Sequence, residues 1–92
     1  PILIHVEYPT ASRRLGEEGE VLFKLNADNT RENISYSLIQ SSGYQRLDQA
    51  ASNGIENLLS RYFDQIENHF QNKNSKQIRF IFALNEKAYA IL

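Results

Sequence analysis

A long helical stripe of apolar residues is the feature that most constrains the fold of this chain. The stripe has the 3.6-residue period of a helix surface and contains Leu47, Ala50, Ala51, Ile55, Leu58, Leu59 and Tyr62, continued by Phe63, Ile66 and Phe70. Ser42 and Gln45 have the spacing of a capping box, and no proline follows before the polar stretch 72–76, so the pattern predicts a helix ending near His69. Gly54 destabilises such a helix by roughly 1 kcal/mol relative to alanine. We therefore expect that a glycine is present because the helix packs closely on another layer at this point.

Three further segments predict that this layer is a sheet. Glu20–Asn26 and Asn33–Gln40 alternate apolar and polar residues on either side of the turn-forming stretch Ala27–Thr30, which is typical of a β-hairpin. Gln77–Asn85 is apolar on nearly both faces and predicts a third strand. The sequence therefore predicts an α+β fold with a small antiparallel three-stranded sheet (order 2-1-3) and a short and a long helix on one face.

The short helix precedes the hairpin and is bounded by proline and glycine. Pro9 suits the start of a helix over Thr10–Leu15, and Gly16 follows where a left-handed residue is expected to end it. Gly19 then lets the chain turn into the first strand. Two of the four glycines of the chain are thus assigned to one connection.

The last predicted strand raises a question about the edge of the sheet. Only Arg79 interrupts the apolar run Ile78–Leu84, so this strand would present a long hydrophobic edge, which proteins normally protect. Two explanations remain open. Either the tail Glu86–Leu92 or the segment Pro1–Val6 covers the edge, or the edge is a docking site for an extended peptide.

Composition and charge exclude several classes of function. The 92 residues predict one domain, residues 1–92, and the net charge of −1 provides no field that would attract nucleic acid or an anionic membrane. No cysteine is available for a disulfide or a thiolate metal site, and no apolar run is long enough to cross a membrane. Because the chain begins at Pro1 rather than methionine, we expect it to be a fragment of a longer protein.

Candidate catalytic and metal-binding residues are few. His5 and His69 are far apart in sequence, and the cluster of Glu17, Glu18 and Glu20 lies on a predicted loop, where carboxylates are usually solvated. We therefore predict that the domain is not an enzyme and that it holds no cofactor and no metal.

Aromatic residues in the last strand allow one alternative function. Phe80 and Phe82, beside Lys76 and Arg79, are compatible with stacking on single-stranded nucleic acid. The near-neutral charge argues against it, and two aromatics on the same face of a strand more often belong to the core. A ferredoxin-like domain that binds a ligand or nucleic acid on its open sheet face remains the alternative from a different functional class.

A combination of short motifs resembles the C-terminal domain of the TonB family of periplasmic energy transducers. The family pattern runs Tyr-Pro, a basic stretch, Gly-x-x-Gly-x-Val, then Ser-Ser-Gly and Leu-Asp-x-Ala-Ala, in that order. The matching signature residues are Tyr8, Pro9, Gly16, Gly19, Gly43, Leu47 and Asp48, with Arg13, Arg14 and Val21 between them. Family members usually carry Trp-x-Phe/Tyr-x-Pro after this region, where this chain has Leu58, Ser60 and Tyr62, so we expect a longer second helix here. Ser12 also replaces the usual alanine.

The resemblance implies a binding function. TonB-type proteins combine an inner-membrane helix, a spacer and this domain, and they work with the proton-driven ExbB–ExbD complex. The domain grips the TonB box of outer-membrane transporters that import siderophores, haem, vitamin B12 or nickel chelates. In the family the box adds as a strand to the edge of the final strand, which corresponds here to Gln77, Ile78, Arg79, Phe80, Ile81, Phe82, Ala83 and Leu84, and it also contacts the segment before Tyr-Pro, which corresponds to His5, Val6 and Glu7. A TolA-like periplasmic transducer domain is the nearest alternative.

Overall fold

A computed structural model describes residues 3–28, 33–70 and 73–92, with position 69 described by its backbone alone. This part of the chain forms two helices and five strands. In chain order they are β1 (Leu3–His5), α1 (Thr10–Leu15), β2 (Gly19–Ala27), β3 (Ile34–Gln40), α2 (Gln45–Phe70), β4 (Ser75–Phe82) and β5 (Tyr89–Ile91). The predicted α+β class and the predicted helices are therefore confirmed.

The strands form one antiparallel sheet in the order β1-β5-β4-β2-β3. The predicted order of the three long strands, 2-1-3, is present within it as β3-β2-β4. The prediction of only three strands is wrong, because short strands from the tail and from the N-terminal segment also pair. Each makes three residue pairs, β5 with Arg79–Ile81 of β4 and β1 with Tyr89–Ile91 of β5.

Of the two explanations for the hydrophobic edge of the last strand, the structure shows the first, because the edge is covered by the tail over Arg79–Ile81. β4 has β2 on one side and β5 on the other, so it lies inside the sheet. Both segments that could have covered it take part: the tail pairs with β4 directly, and residues 3–5 continue the sheet beyond the tail. The edge of β4 is thereby paired within the chain over Arg79–Ile81.

The predicted hairpin is formed by β2 and β3. Their register pairs Leu22 with Gln40 but Phe23 with Leu38, so Ile39 is an extra residue and makes a β-bulge. Asn29 and Thr30 of the predicted turn lie outside the described residues, as does Asn72 of the polar stretch before β4. The bulge interrupts regular pairing on β3, which forms the other end of the sheet.

The core lies between α2 and the two central strands β2 and β4. Val21, Leu25 and Ile78 are completely buried on the sheet, and Leu47, Ala51 and Ile55 are completely buried on the helix. Phe80 and Phe82 are also buried, which confirms their interpretation as core residues. A Cβ atom at Gly54 would lie 3.1 Å from Cε2 of Phe80, so this glycine does mark close packing on the sheet.

Helix α2 differs from its prediction at its beginning and in its middle. It starts at Gln45. Instead of the predicted capping box, the N–H and the hydroxyl of Ser42 both donate hydrogen bonds to the Asp48 carboxylate. It ends at Phe70, one residue beyond the predicted end. The backbone leaves helical geometry at Tyr62, with φ −130° and ψ 32°, at the position where the family pattern has proline. The helix therefore continues past this position, as expected, but with a kink.

Candidate functional site

The strand predicted to bind a peptide contributes mainly to the core. Gln77–Phe82 belongs to β4, where Ile78, Phe80 and Phe82 point into the core. The predicted end of the strand at Asn85 is wrong, because the chain already turns at Ala83 to bring β5 alongside β4. The edge of β4 that was predicted to receive a peptide is paired with β5 over Arg79–Ile81.

The turn between β4 and β5 is fastened to the segment around α1. The N–H of Leu84 donates to a carboxylate oxygen of Glu18 at 2.8 Å, and its carbonyl accepts from the Arg13 guanidinium at 2.8 Å. The same guanidinium donates to the carbonyl of Glu86 at 3.0 Å. Ala83 and Leu84 are therefore parts of a fixed turn rather than of an open strand edge.

The predicted segment before Tyr8 lies at the outer end of the sheet. β1 is the last strand in the order, and His5 and Glu7 are exposed. The N–H of Val6 donates to the carbonyl of Ala88 at 3.1 Å, so Val6 faces β5. In an antiparallel pair, residues of the other parity direct their backbone groups away from the partner strand. The N–H and C=O groups of Leu3 and His5 are thus directed outward, and no described strand pairs with them.

Tyr8 attaches this outer strand to the body of the domain. Its hydroxyl donates to the carbonyl of Glu17, and its ring meets Phe82 edge-on with centroids 5.4 Å apart. The guanidinium of Arg13 lies 4.3 Å from the ring centroid, in cation–π geometry. Burial, together with the charge of Glu18, raises the pKa of Tyr8 above its ordinary value although Arg13 acts in the opposite direction. The hydroxyl is therefore a stable donor at neutral pH.

The glutamate cluster has a structural role at one of its three positions. Glu17 is buried, which contradicts the expectation that all three carboxylates are solvated, whereas Glu18 and Glu20 are exposed. Ser12 Oγ donates to Glu17 Oε1 at 2.7 Å, and Arg46 Nη1 lies 3.0 Å from Glu17 Oε2. Ser12 thus satisfies a buried carboxylate where the family usually has alanine.

A groove of about 1290 Å³ runs between β1 and helix α2. It arises because α2 packs on β2 and β4 and leaves the outer strands without a helix over them. Its apolar lining comes from both elements and from the sheet beneath, namely Ile4, Val6, Ala50, Leu58, Ile66, Ile78, Phe80 and Ala90. All residues from Leu3 to Glu7 line it, as expected of a groove that follows a strand edge.

The helix wall of this groove carries a polar ridge that the sequence interpretation missed. We call it the amide ridge; its members are four residues apart and consist of Gln45, Gln49, Asn53, Asn57, Arg61 and Gln65. Residues four apart form a continuous row on a helix surface. Five of the six side chains are amides, and Gln49 Nε2 donates to Asn53 Oδ1 at 3.1 Å. The spacing of four is present in the sequence, but a row of exposed amides does not by itself predict that a groove lies beside it.

The histidines and carboxylates of the described residues do not assemble into a metal site. No group of three or more histidine, aspartate or glutamate side chains could hold a metal ion within the described ranges. His5 is exposed, and the side chain of His69 lies outside the described residues. Nor does any helix in this part of the chain combine the length and apolar character that a membrane crossing requires.

Comparison with known proteins identifies the family. The profile of the Gram-negative bacterial TonB protein C-terminal family matches residues 4–84 of the 92-residue chain. The chain belongs to this family. No match was found among curated proteins or among solved structures. TonB C-terminal domains are periplasmic and act as non-enzymatic transducer and binding domains that interact with outer-membrane transporters. The match ends at Leu84, so β5 lies beyond the matched stretch.

Two of the TonB-type glycines serve the connection before β2. Gly16 is left-handed, with φ 73° and ψ 27°, and ends α1. The N–H of Gly16 donates to Arg13 O and that of Glu17 to Ser12 O, which is the hydrogen-bond pattern of a Schellman motif. A Cβ atom at Gly19 would lie 3.0 Å from Ser42 Cβ and 3.2 Å from Ser42 O. Gly19 therefore permits close approach of the Ser-Ser-Gly loop.

The Leu-Asp pair of the TonB signature fixes the same loop. Leu47 is completely buried, and the Asp48 carboxylate accepts from Ser42 N–H at 2.9 Å, from Ser42 Oγ at 2.7 Å and from Ser41 Oγ. Burial by itself would raise the pKa of Asp48, but the hydrogen bonds from Ser41 and Ser42 outweigh it and hold the pKa below its ordinary value. The signature thus describes scaffold residues.

Proposed function

We propose that this domain binds an extended N-terminal segment of outer-membrane transporters, the TonB box, by strand addition. The observation that carries the proposal is the outer edge of β1, where the backbone groups of Leu3 and His5 are directed away from β5. An exposed strand edge gives affinity through backbone hydrogen bonds and therefore tolerates varied side chains. This tolerance suits a domain that serves several transporters.

The proposed contacts differ in their accessibility. His5, Val6 and Glu7 lie at the free end of the sheet, so a peptide reaches them without rearrangement. Arg79–Ile81 pair with β5, and Ala83 and Leu84 lie in the turn that follows β4, so pairing of the box along the whole of Gln77–Leu84 requires β5 and β1 to leave the sheet. β5 contributes Ala88, Ala90 and Leu92 to the core from its strand and flanks, and their burial opposes that release. We therefore favour addition outside β1 and treat direct pairing with β4 as the second arrangement.

The wider role follows from the family. We propose that the full-length protein couples the proton motive force to transport through ExbB and ExbD, by regions outside this chain, and that an inner-membrane anchor holds it. The transported substrates would be siderophores, haem, nickel chelates or vitamin B12. The box would bind weakly, with a Kd on the order of 0.1–1 mM, since four to six backbone hydrogen bonds contribute about 1 kcal/mol each before ordering costs are subtracted.

Titration of the isotope-labelled domain with transporter peptides tests the proposal. Ten-residue peptides from the N-termini of outer-membrane transporters of the source organism would be added up to millimolar concentration and followed by amide NMR shifts. We expect the largest shifts at Leu3–Glu7. Shifts concentrated in Gln77–Leu84, with loss of the β5 pairing, would favour the second arrangement. Absence of shifts for every peptide would refute the proposed function.

A further inference from the structure

Leu3 is the most exposed large apolar side chain among the described residues. It is 68% exposed, whereas Ile4 and Val6, which alternate with it along the same segment, pack against the hydrophobic core. A single exposed leucine is common on protein surfaces and needs no explanation by itself. Its position does, because Leu3 is also one of the two residues of β1 whose N–H and C=O groups are directed away from β5.

The strand register places the Leu3 side chain on the face of the sheet away from α2. Leu3 lies opposite Ile91, and Ile91 lies opposite Arg79. Directly paired residues of neighbouring antiparallel strands share a face. Arg79 is exposed, while its neighbours Ile78 and Phe80 point into the core beneath α2. A strand added outside β1 would therefore place one of its side chains beside Leu3 on this open face, outside the groove.

We propose that Leu3 is a specificity-determining residue of the outer edge of β1, and that it selects transporter segments with an aliphatic residue at the position beside it. This inference rests on the proposed function, because it assigns the partner chemistry of the same edge. Backbone hydrogen bonds accept many sequences, so discrimination must come from side chains. An aliphatic neighbour would remove apolar surface of Leu3 from water, and it would extend the row that Leu3 forms with Ile91.

The neighbouring positions of β1 indicate that this one contact also sets the register of the added strand. The next residue on the open face is His5, which is polar and exposed, and Ile4 on the other face already packs against the core. A slip of one residue would move the aliphatic side chain of the peptide to the other face, and a slip of two would move it to the side of His5. Either slip loses the contact with Leu3.

The opposite edge of the sheet offers a comparison. β3 is the outer strand on that side, and it also exposes two large aliphatic side chains, Leu38 and Ile39. Ile39 is the extra residue of the β-bulge, and bulges protect edge strands against the addition of another strand. The pairing of β1 with β5 has no such irregularity. We therefore assign the selection of the peptide to Leu3 and not to β3.

Matched leucine variants test this assignment. Leu3→Ala shortens the side chain at the proposed edge, Leu15→Ala shortens one on α1 that is 62% exposed, and Leu38→Ala shortens one on β3. Each variant would be titrated, by amide NMR shifts, with the ten-residue transporter peptide that gives the largest shifts in the wild type. Versions of this peptide with one aliphatic residue at a time changed to serine would be titrated in parallel. Unchanged amide shifts of Tyr89–Ile91 without peptide would check that β1 remains in the sheet.

We expect Leu3→Ala to weaken the peptide about fivefold, which converts to about 1 kcal/mol and is within the range for partial burial of a leucine. One of the serine substitutions should cost a similar factor in the wild type but little in Leu3→Ala, because both changes remove the same contact. Leu3→Ile, which remains aliphatic, should bind within about twofold of the wild type. Leu15→Ala and Leu38→Ala should bind as the wild type does.

The outcomes separate this inference from the proposed function. If the wild type binds with shifts at Leu3–Glu7 and Leu3→Ala binds equally well, selection by Leu3 is refuted but strand addition stands. The same conclusion follows if every serine substitution costs as much in Leu3→Ala as in the wild type. Weaker binding by Leu38→Ala alone would move the docking site to β3 and overturn both proposals. If the wild type binds no peptide, both proposals fail.

Discussion

The two sides of the sheet differ in how they are held. The β2–β4 side lies under α2, and its inward residues Val21, Leu25 and Ile78 are completely buried. On the β5–β1 side the strands have three residues each, and Leu3 is 68% exposed. The difference indicates that the first side provides the stability of the domain and that the second side is available for recognition.

Matched isoleucines give the largest expected contrast between the two sides. Ile78→Ala on β4 should lower the free energy of unfolding by about 3–4 kcal/mol, because it leaves a cavity in a closed core. Ile4→Ala on β1 should lower it by only about 1 kcal/mol, since this side chain is half-buried beside the groove. Urea unfolding followed by circular dichroism measures both. Equal losses would contradict the division between the two sides.

A substitution in the loop contacts of Asp48, on the β2–β4 side, should have a smaller effect on the free energy of unfolding, and this effect should depend on pH. Asp48→Asn should cost about 1–2 kcal/mol at pH 7, where the carboxylate accepts hydrogen bonds from Ser41 and Ser42. The pKa of Asp48 is lowered in the folded state, so its contribution is present above the unfolded pKa and is lost as pH falls through the folded pKa. Unfolding at pH 7 and pH 3 should show the difference between wild type and variant narrowing at the lower pH. A pH-independent difference would argue against the carboxylate as its source.

Loss of the hydrogen bonds that hold the β4–β5 turn should destabilise the β5–β1 side more than the β2–β4 side. Arg13→Gln removes the donors to Leu84 and Glu86 and the cation above Tyr8. We expect a loss of about 1 kcal/mol, expressed as roughly fivefold faster hydrogen exchange at amides of β5 and β1. Amides of β2 should exchange as in the wild type. Uniform acceleration across the sheet would mean that the turn supports the whole domain.

A disulfide between the outer strands should have the smallest effect and should separate the two docking arrangements. The chain has no cysteine, so His5→Cys with Tyr89→Cys introduces one possible bond, at residues that face each other on β1 and β5. If the box adds outside β1, the oxidised protein should bind peptides within about twofold of its reduced form, because the acceptor edge is unchanged. Loss of binding on oxidation and recovery on reduction would instead require that β1 leave the sheet.

The sequence predicted the elements whose side chains repeat over many residues. The stripe of α2 and the alternation of β2 and β3 are long enough to define their periods. The end of α1 at Gly16 and the close packing at Gly54 could also be predicted, because both follow from the neighbouring residues. β1 and β5 have three residues each, so neither contains a period to detect. β1 pairs with a segment nearly the whole chain length away, and β5 pairs with residues of β4 that are only 8 to 12 positions before it. Because neither short strand shows an alternation of its own, the sequence left open whether β4 is an edge.

The candidate site could be predicted only in part for the same reason. The resemblance identified His5, Val6 and Glu7, which the fold places at the end of the sheet. It could not show that Arg79–Ile81 within Gln77–Leu84 pair with β5, which follows the matched stretch. The amide ridge was present in the sequence at a spacing of four, but its significance depends on β1 lying opposite, which is a tertiary relationship.

The three contacts of Tyr8 have a mechanical consequence. Tension applied to the chain before β1 would separate β1 from β5 pair by pair, since few side chains hold this strand. Detachment would then reach Tyr8, whose hydroxyl bond to Glu17, edge contact with Phe82 and cation contact with Arg13 must break together. We therefore expect a single-molecule pulling trace with a weak early step followed by a stronger one. Between these two forces the outer strand would extend while the rest of the domain stays folded.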